Sequence, residues 1–208
     1  MSLQTQWGYT ITDADALTEM LSEADFDTMT ANKYAGDVRI EPNIAAACAA
    51  IRNYCGWHVY PALACSMTER LLAGNGRVKR AGADILIQLP ATFVSAVTEV
   101  TVGGIAHTDY DIASNGIIRL FDVGRIDRKT QVIVKYVAGL PEGMMDGVKD
   151  LIAGRVNHAL AQPYGVQSES AGGVSVTYSA SWAASASASS LPDDNKEVLA
   201  PFKVRGVF

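Results

Sequence analysis

The spacing of hydrophobic positions changes period along the chain, and each change marks a different kind of element. Thr12, Asp13 and Asp15 have the form of a capping box with carboxylates in a first helical turn. Leu17, Met20, Leu21 and Ala24 follow at helical spacing, so a short helix is expected over about 13–24. Pro42 suits a first turn and Gly56 a left-handed stop, and around them Ile40, Ile44, Ala47, Cys48, Ile51, Tyr54 and Cys55 fall on one helical face. Ala45, Ala46, Ala49 and Ala50 fill other positions of this second helix, so a neighbouring helix can approach it closely.

From Tyr60 to Gly139 the period falls from 3.6 to 2. Ile85–Leu89, Val97–Val102, Tyr110–Ile112, Ile117–Phe121 and Val132–Val137 are β-rich runs separated by turn residues. Gly103-Gly104 and Asn115-Gly116 are the residue pairs that two-residue hairpin turns demand. An antiparallel sheet or small sandwich of five or six strands follows from these. After Gly139 the helical period returns, with Pro141-Glu142 opening a segment that places Met145, Val148, Leu151, Ile152, Val156, Ala159 and Leu160 on one face before Pro163 ends it. Gly143, Gly147 and Gly154 weaken such a helix by up to about 1 kcal/mol each, which suggests close packing against the alanine-rich helix.

The last forty residues have no such period. Val174–Tyr178 reads as a short strand, and Ser179–Ser190 holds six Ser, five Ala and one Trp, a stretch unable to fold alone. Large apolar groups then return at Val198, Leu199, Phe202, Val204, Val207 and Phe208, beside Lys203 and Arg205. The expected fold class is therefore α+β: a small helical bundle (1–60 plus 140–165) with an inserted antiparallel β-sheet or sandwich (61–139), and an extended C-terminal arm (166–208). Two readings of that arm stand: it covers its own domain, or, the sharper expectation, it docks on another subunit, because a long spacer is wasteful if its apolar end only folds back.

Composition sharpens this picture. The 208 residues are 49% hydrophobic, but thirty of them are alanine and only 8% are aromatic, so any core is built from closely approaching backbones or completed by a partner. Residues 1–60 hold eight acidic and three basic groups, while the remainder is balanced, so the net charge of −5 sits in the first sixty positions. A domain-wide basic footprint for nucleic acid is absent. The N-terminus lacks a basic and apolar leader pattern, and Ser170–Pro192 is too rich in Ser, Gly and Ala to cross a membrane, so a cytoplasmic start is expected. Cys48 and Cys55, seven apart on one helix, lie about 10 Å apart, too far for a disulfide, and Cys65 is an odd third, which points to reduced thiols.

Little in the chain suggests catalysis. No nucleophile elbow, zincin helix, phosphate-binding glycine loop or EF-hand loop occurs. Cys55-Gly-Trp-His58 has half of a zinc spacing, but Cys65, His107 and His158 come singly from other elements, so no metal or other cofactor is expected. A Cys/His nucleophile pair from the same residues lacks any mark of an activated thiol. Asp109 and Asp111 share a strand face and read as solvated carboxylates. Arg77, Lys79 and Arg80, with Arg70 nearby, form a local basic group that could touch a DNA backbone or a subunit, and Arg125, Arg128 and Lys129 form a second.

Several strings, in this order, resemble the head-tail connector (adaptor) proteins of tailed bacteriophages. They are Ile51-Arg-Asn-Tyr-Cys-Gly-Trp57, Leu89-Pro90 leading into Val97, Val100, Val102 and Gly104, and Tyr136-Val-Ala-Gly139. Gly165–Ser170 with Gly172, Ser175-Val-Thr-Tyr178 and a closing Leu199 and Phe202 complete the set, which spans about three quarters of the chain. The resemblance implies a non-catalytic virion protein of the neck, assembled in the host cytoplasm as a ring, commonly of twelve copies. Such a ring binds the portal protein on one side and the tail or a tail-completion protein on the other, and it continues the DNA channel with only transient, non-specific DNA contact. On that reading Tyr178, Trp182, Leu199, Phe202, Arg205 and Phe208 would meet the portal or a neighbouring subunit. A β-sandwich module binding a carbohydrate or protein partner is the alternative from the residues themselves.

Overall fold

The computed structural model describes residues 1–71, 76–113, 115–124, 126–127, 129–161, 168–171, 174–177, 191 and 193–204. It is a mixed α and β protein with two antiparallel sheets and four helices among these residues. The chain divides into two compact units: Met1–Thr18 with Cys55–Glu142 and Phe202–Phe208, and Glu19–Tyr54 with Gly143–Pro201. The first eighteen residues and the C-terminal tip thus group with the sheets, although the sequence pattern set them with the helices and the arm.

Helices make up most of the described residues of the second unit. The expected helix over 13–24 does not form as one piece. Asp13 caps only a single 3-10 turn, Ala14–Ala16, and Ser22 caps a separate helix, α1 (Glu23–Met29), by accepting from the Asp25 amide at 3.1 Å. Two capping residues nine positions apart each start their own turn, so Met20 and Leu21 are buried from the bend between them instead of a helix face. Helix α2 (Ile40–Cys55) matches expectation, with Gly56 at φ 77° as its stop. Helix α3 (Asp146–Ala161) buries Val148, Ile152, Ala153, Val156 and Leu160.

The glycines of this third segment do not serve tight packing. A Cβ added at Gly143, Gly147 or Gly154 would meet nothing within 4 Å. All three are exposed, and the two inside α3, Gly147 and Gly154, have nothing packed against them among the described residues. A fourth helix, α4 (Asp193–Leu199), was not foreseen. It packs on α3, its Lys196 carbonyl accepts from the Tyr54 hydroxyl at 3.1 Å, and Leu191 and Leu199 are buried.

The first unit is built on two sheets. Strands β1 (Leu3–Gln4), β2 (Thr10–Ile11), β3 (Leu63–Arg70), β10 (Gln131–Ala138), β6 (Val94–Val102) and β7 (Ile105–Ala106) follow in that spatial order in a six-stranded sheet. In β10, Val132, Val134, Tyr136 and Ala138 point inward and alternate with Gln131, Ile133, Lys135 and Val137. Two register shifts interrupt β6 opposite β10. There the Thr98 hydroxyl donates to the Lys135 carbonyl at 3.1 Å and the Ser95 hydroxyl to the Val137 carbonyl at 3.3 Å, so side chains supply bonds to the ladder where it is disrupted.

Strands β4 (Val78–Ala81), β5 (Asp84–Gln88), β9 (Ile117–Leu120) and β8 (Tyr110–Ile112) form the smaller sheet in that order. Gly103-Gly104 takes positive φ at both positions, 59° and 86°, as a two-residue hairpin requires. At Asn115-Gly116 the glycine has φ 77° and its amide donates to the Ala113 carbonyl, and four residues instead of two separate Ile112 from Ile117. Strands β11 (Ser168–Ala171) and β12 (Val174–Thr177) pair as a separate hairpin.

Candidate functional site

The residues after Gly56 turn straight into the interior. Trp57, His58 and Val59 are each fully buried, an unusual stretch for a link between a helix and a strand. Val59 holds φ at 66°, a conformation that costs a β-branched residue roughly 1–2 kcal/mol, so its surroundings must over-determine it.

They do so through hydrogen bonds. His58 Nε2 lies 2.8 Å from the Ala138 carbonyl, which can only accept, so this nitrogen carries the ring proton. Nδ1 then accepts from the Tyr9 hydroxyl at 2.8 Å, and the same hydroxyl oxygen accepts from the His58 amide at 3.0 Å. The Val59 carbonyl accepts from the Leu140 amide at 2.8 Å. One imidazole thereby ties the N-terminal hairpin to the end of β10.

The C-terminal segment closes the same place. Trp57 Nε1 donates to the Phe202 carbonyl at 2.7 Å, and Thr92 Oγ1 donates to that carbonyl at 3.3 Å. The Val204 amide donates to the carbonyl of Cys55, the last residue of α2, at 2.9 Å. An open helix terminus leaves such carbonyls unsatisfied, so residues 202–204 act as its cap. The Phe202 ring lies 6.0 Å from that of Phe93, within the range of favourable aromatic pairs.

This placement changes what the arm residues can do. Leu199 is fully buried within its own chain, so it has no exposed surface to offer a portal or a neighbour, and Phe202 is half-buried with its carbonyl occupied. Tyr178, Trp182, Arg205 and Phe208 lie outside the described residues. Removing everything beyond residue 190 would uncover Trp57 and delete α4, so truncation there disturbs the fold itself.

The basic group Arg77, Lys79 and Arg80 does not share one face. Arg77 Nη1 donates to the Trp7 carbonyl at 2.8 Å and holds the N-terminal hairpin. Lys79 and Arg80 alternate across β4. Arg80 Nε donates to the Gly82 carbonyl at 2.9 Å and its Nη2 to the Gly124 carbonyl at 3.2 Å. That last contact brings the first basic group beside the loop of the second, where Lys129 is exposed and Arg125 and Arg128 lie outside the described residues. Arg70 joins them, because it pairs with Gln131 at the start of β10. Arg80 thus lies against Gly124, and Arg70 opposite the start of the strand that follows Lys129.

Reactive chemistry is muted. Burial pushes the Cys48, Cys55 and Cys65 thiols up to about 12, far from thiolate character at neutral pH. Both ring nitrogens of His58 are engaged, so a Cys55/His58 nucleophile pair is not assembled. Burial also raises the Tyr136 phenol well above its usual range, with Cys65 and Tyr9 adding to the effect, and its hydroxyl has no partner among the described residues. No helix among the described residues is long and apolar enough to cross a membrane. The Trp57 anchorage escaped the sequence reading because its partners lie 49, 80 and 145 positions from it or its neighbour; the buried-type residues directly after a glycine stop were the available signal.

No family model and no curated protein matches the chain.

Proposed function

We propose that the protein is a ring-forming head-tail connector of a tailed bacteriophage: a small helical bundle with an inserted β-domain and a C-terminal arm, standing in the neck between portal and tail. One observation carries this reading. Four of the strings that resemble the connector family meet in space around Trp57. The helix terminus at Cys55–Trp57, the segment after Leu89-Pro90 through Thr92 and Phe93, the Tyr136–Gly139 strand end and Phe202 are joined there, and Gly139 closes the group by donating to the Phe93 carbonyl at 3.0 Å. Strings that are each weakly specific belong together when they build one anchorage.

Charge agrees with the role. The unit containing α1 to α4 holds twelve acidic against six basic residues, and the unit containing the sheets ten against eleven. An acidic surface facing a channel repels DNA and lets it slide. With Leu199 and Phe202 engaged internally, the arm residues left to meet the portal or a neighbour are Tyr178, Trp182, Arg205 and Phe208. The work is structural and needs no cofactor.

Mass photometry of the full chain, alone and with the portal of its own phage, tests the proposal. A discrete multi-subunit species that adds its mass to the portal is expected. A portal of unchanged mass, with the chain monomeric beside it, would overturn the reading.

A further inference from the structure

The His58 imidazole is enclosed by segments that carry no carboxylate. The N-terminal hairpin brings it the Tyr9 hydroxyl, β10 the Ala138 carbonyl, and Trp57 stands edge-on to its ring with centroids 5.4 Å apart. Behind Tyr9 lies the Tyr136 ring at 6.4 Å, with Cys65 opposite Tyr136 in β3, and the stretches holding Thr92 and Phe202 meet at Trp57. No Asp or Glu occurs in residues 1–12, 56–68, 89–98, 128–141 or 198–208. Their charged residues are Arg128, Lys129, Lys135, Lys203 and Arg205, all cations.

The titratable neighbours offer no counter-ion either. Tyr9 gives its proton to the imidazole, and burial keeps the Tyr136 phenol and the Cys65 thiol protonated. Glu99 is held by Lys135 at 2.7 Å, through a residue that alternates away from the buried side of β10. Glu69 comes four positions after Cys65, roughly 13 Å along β3, and lies with Arg77 beside Gly8. An imidazolium at His58 would be a buried cation among neutral groups and other cations, the environment that most disfavours the charged form.

The hydrogen bonds point the same way. The Tyr9 oxygen accepts from the His58 amide and gives its single proton to Nδ1, so the set is complete only while Nδ1 is bare. A proton on Nδ1 aims two N–H groups at one oxygen and turns the hydroxyl proton away from its acceptor. With the hairpin open, both groups reach water.

We infer that His58 is an acid-sensitive latch: protonation at Nδ1 releases the N-terminal hairpin, β1 with β2, from the end of β10. The β2–β3 pairing and the Arg77 bond to the Trp7 carbonyl also hold the hairpin, so acid shifts a local opening equilibrium and leaves the rest of the sheet paired. The closed state excludes the proton, and the open state binds it near the ordinary imidazole value of about 6.5. Closure is therefore fully present above that pH and weakens by up to about tenfold for each unit below it.

Hydrogen exchange of residues 1–12 in the full chain, at about pH 7.5 and about pH 5, tests the latch with His58→Gln as reference. Glutamine keeps a donor for Ala138 and an acceptor for Tyr9 but does not titrate, and the ratio of the two exchange rates cancels the intrinsic effect of pH. That ratio, wild type over variant, should rise by up to about thirtyfold from the higher pH to the lower. A ratio that stays constant would overturn the inference. Should the variant not fold, nitrogen–proton spectra of the wild-type imidazole decide. His58 is expected to remain neutral, with its proton on Nε2, wherever residues 1–12 stay protected; an imidazolium inside a protected hairpin would sink the latch.

Discussion

The anchorage around Trp57 and the edges of the small sheet handle polar groups in opposite ways. At the anchorage the indole N–H, both imidazole nitrogens, the Tyr9 hydroxyl and the Cys55 carbonyl are each matched inside the chain. At the edges, the backbone groups of the exposed residues Arg80 and Ile112 point away from the neighbouring strand. A buried donor without a partner costs more than a made bond contributes, whereas an exposed one costs little because water serves it. The first arrangement holds the chain in one conformation; the second leaves its polar groups to water.

The largest test of this contrast is Trp57→Ala. It removes the biggest fully buried side chain among the described residues and leaves the Phe202 carbonyl only the longer bond from Thr92, so urea unfolding should show a loss of about 3–5 kcal/mol. Cys55, whose thiol is otherwise buried, should then react with a thiol reagent before global unfolding. Tyr9→Phe leaves the His58 amide and Nδ1 without their partner, and about 1–3 kcal/mol should be lost in the same assay. Gly154→Ala, on the open side of α3, should instead stabilise the fold by up to about 1 kcal/mol. Tyr136→Phe deletes a buried hydroxyl that lacks a partner among the described residues, so a gain of roughly 0.5–1 kcal/mol is expected, against the loss at Tyr9. Asp111→Asn, at an exposed carboxylate of β8, should move unfolding by less than about 0.5 kcal/mol, the smallest of these effects.

Local signals were legible and distant ones were not. The α2 face, its Gly56 stop, the β-rich runs and the Gly103-Gly104 turn follow from neighbours in sequence. Strand β3 was not singled out, because Leu63, Cys65 and Met67 alternate with Ala64, Ser66 and Thr68 without the β-branched density of its partner β10. The expected first helix failed because Ser22 offers a second cap within the same apolar stripe. For the basic groups, proximity depends on Arg80 reaching Gly124, 44 positions away, which no spacing rule encodes. The alanine and glycine content suggested close helix packing, yet the α3 glycines stand in open space.

The Trp57–Phe202 bond spans 145 positions, which gives the cap on α2 a bearing on synthesis. While a ribosome is still making the second half of the chain, the indole of Trp57 and the terminal carbonyl of α2 have no partners to meet. Closure of so long a loop is slow, and it can occur only once residues 202–204 have emerged. A chain released early keeps an exposed tryptophan beside a strained valine, the kind of surface that chaperones and proteases act on. Docking of residues 202–204 thus reports that the chain between Trp57 and Phe202 has been made.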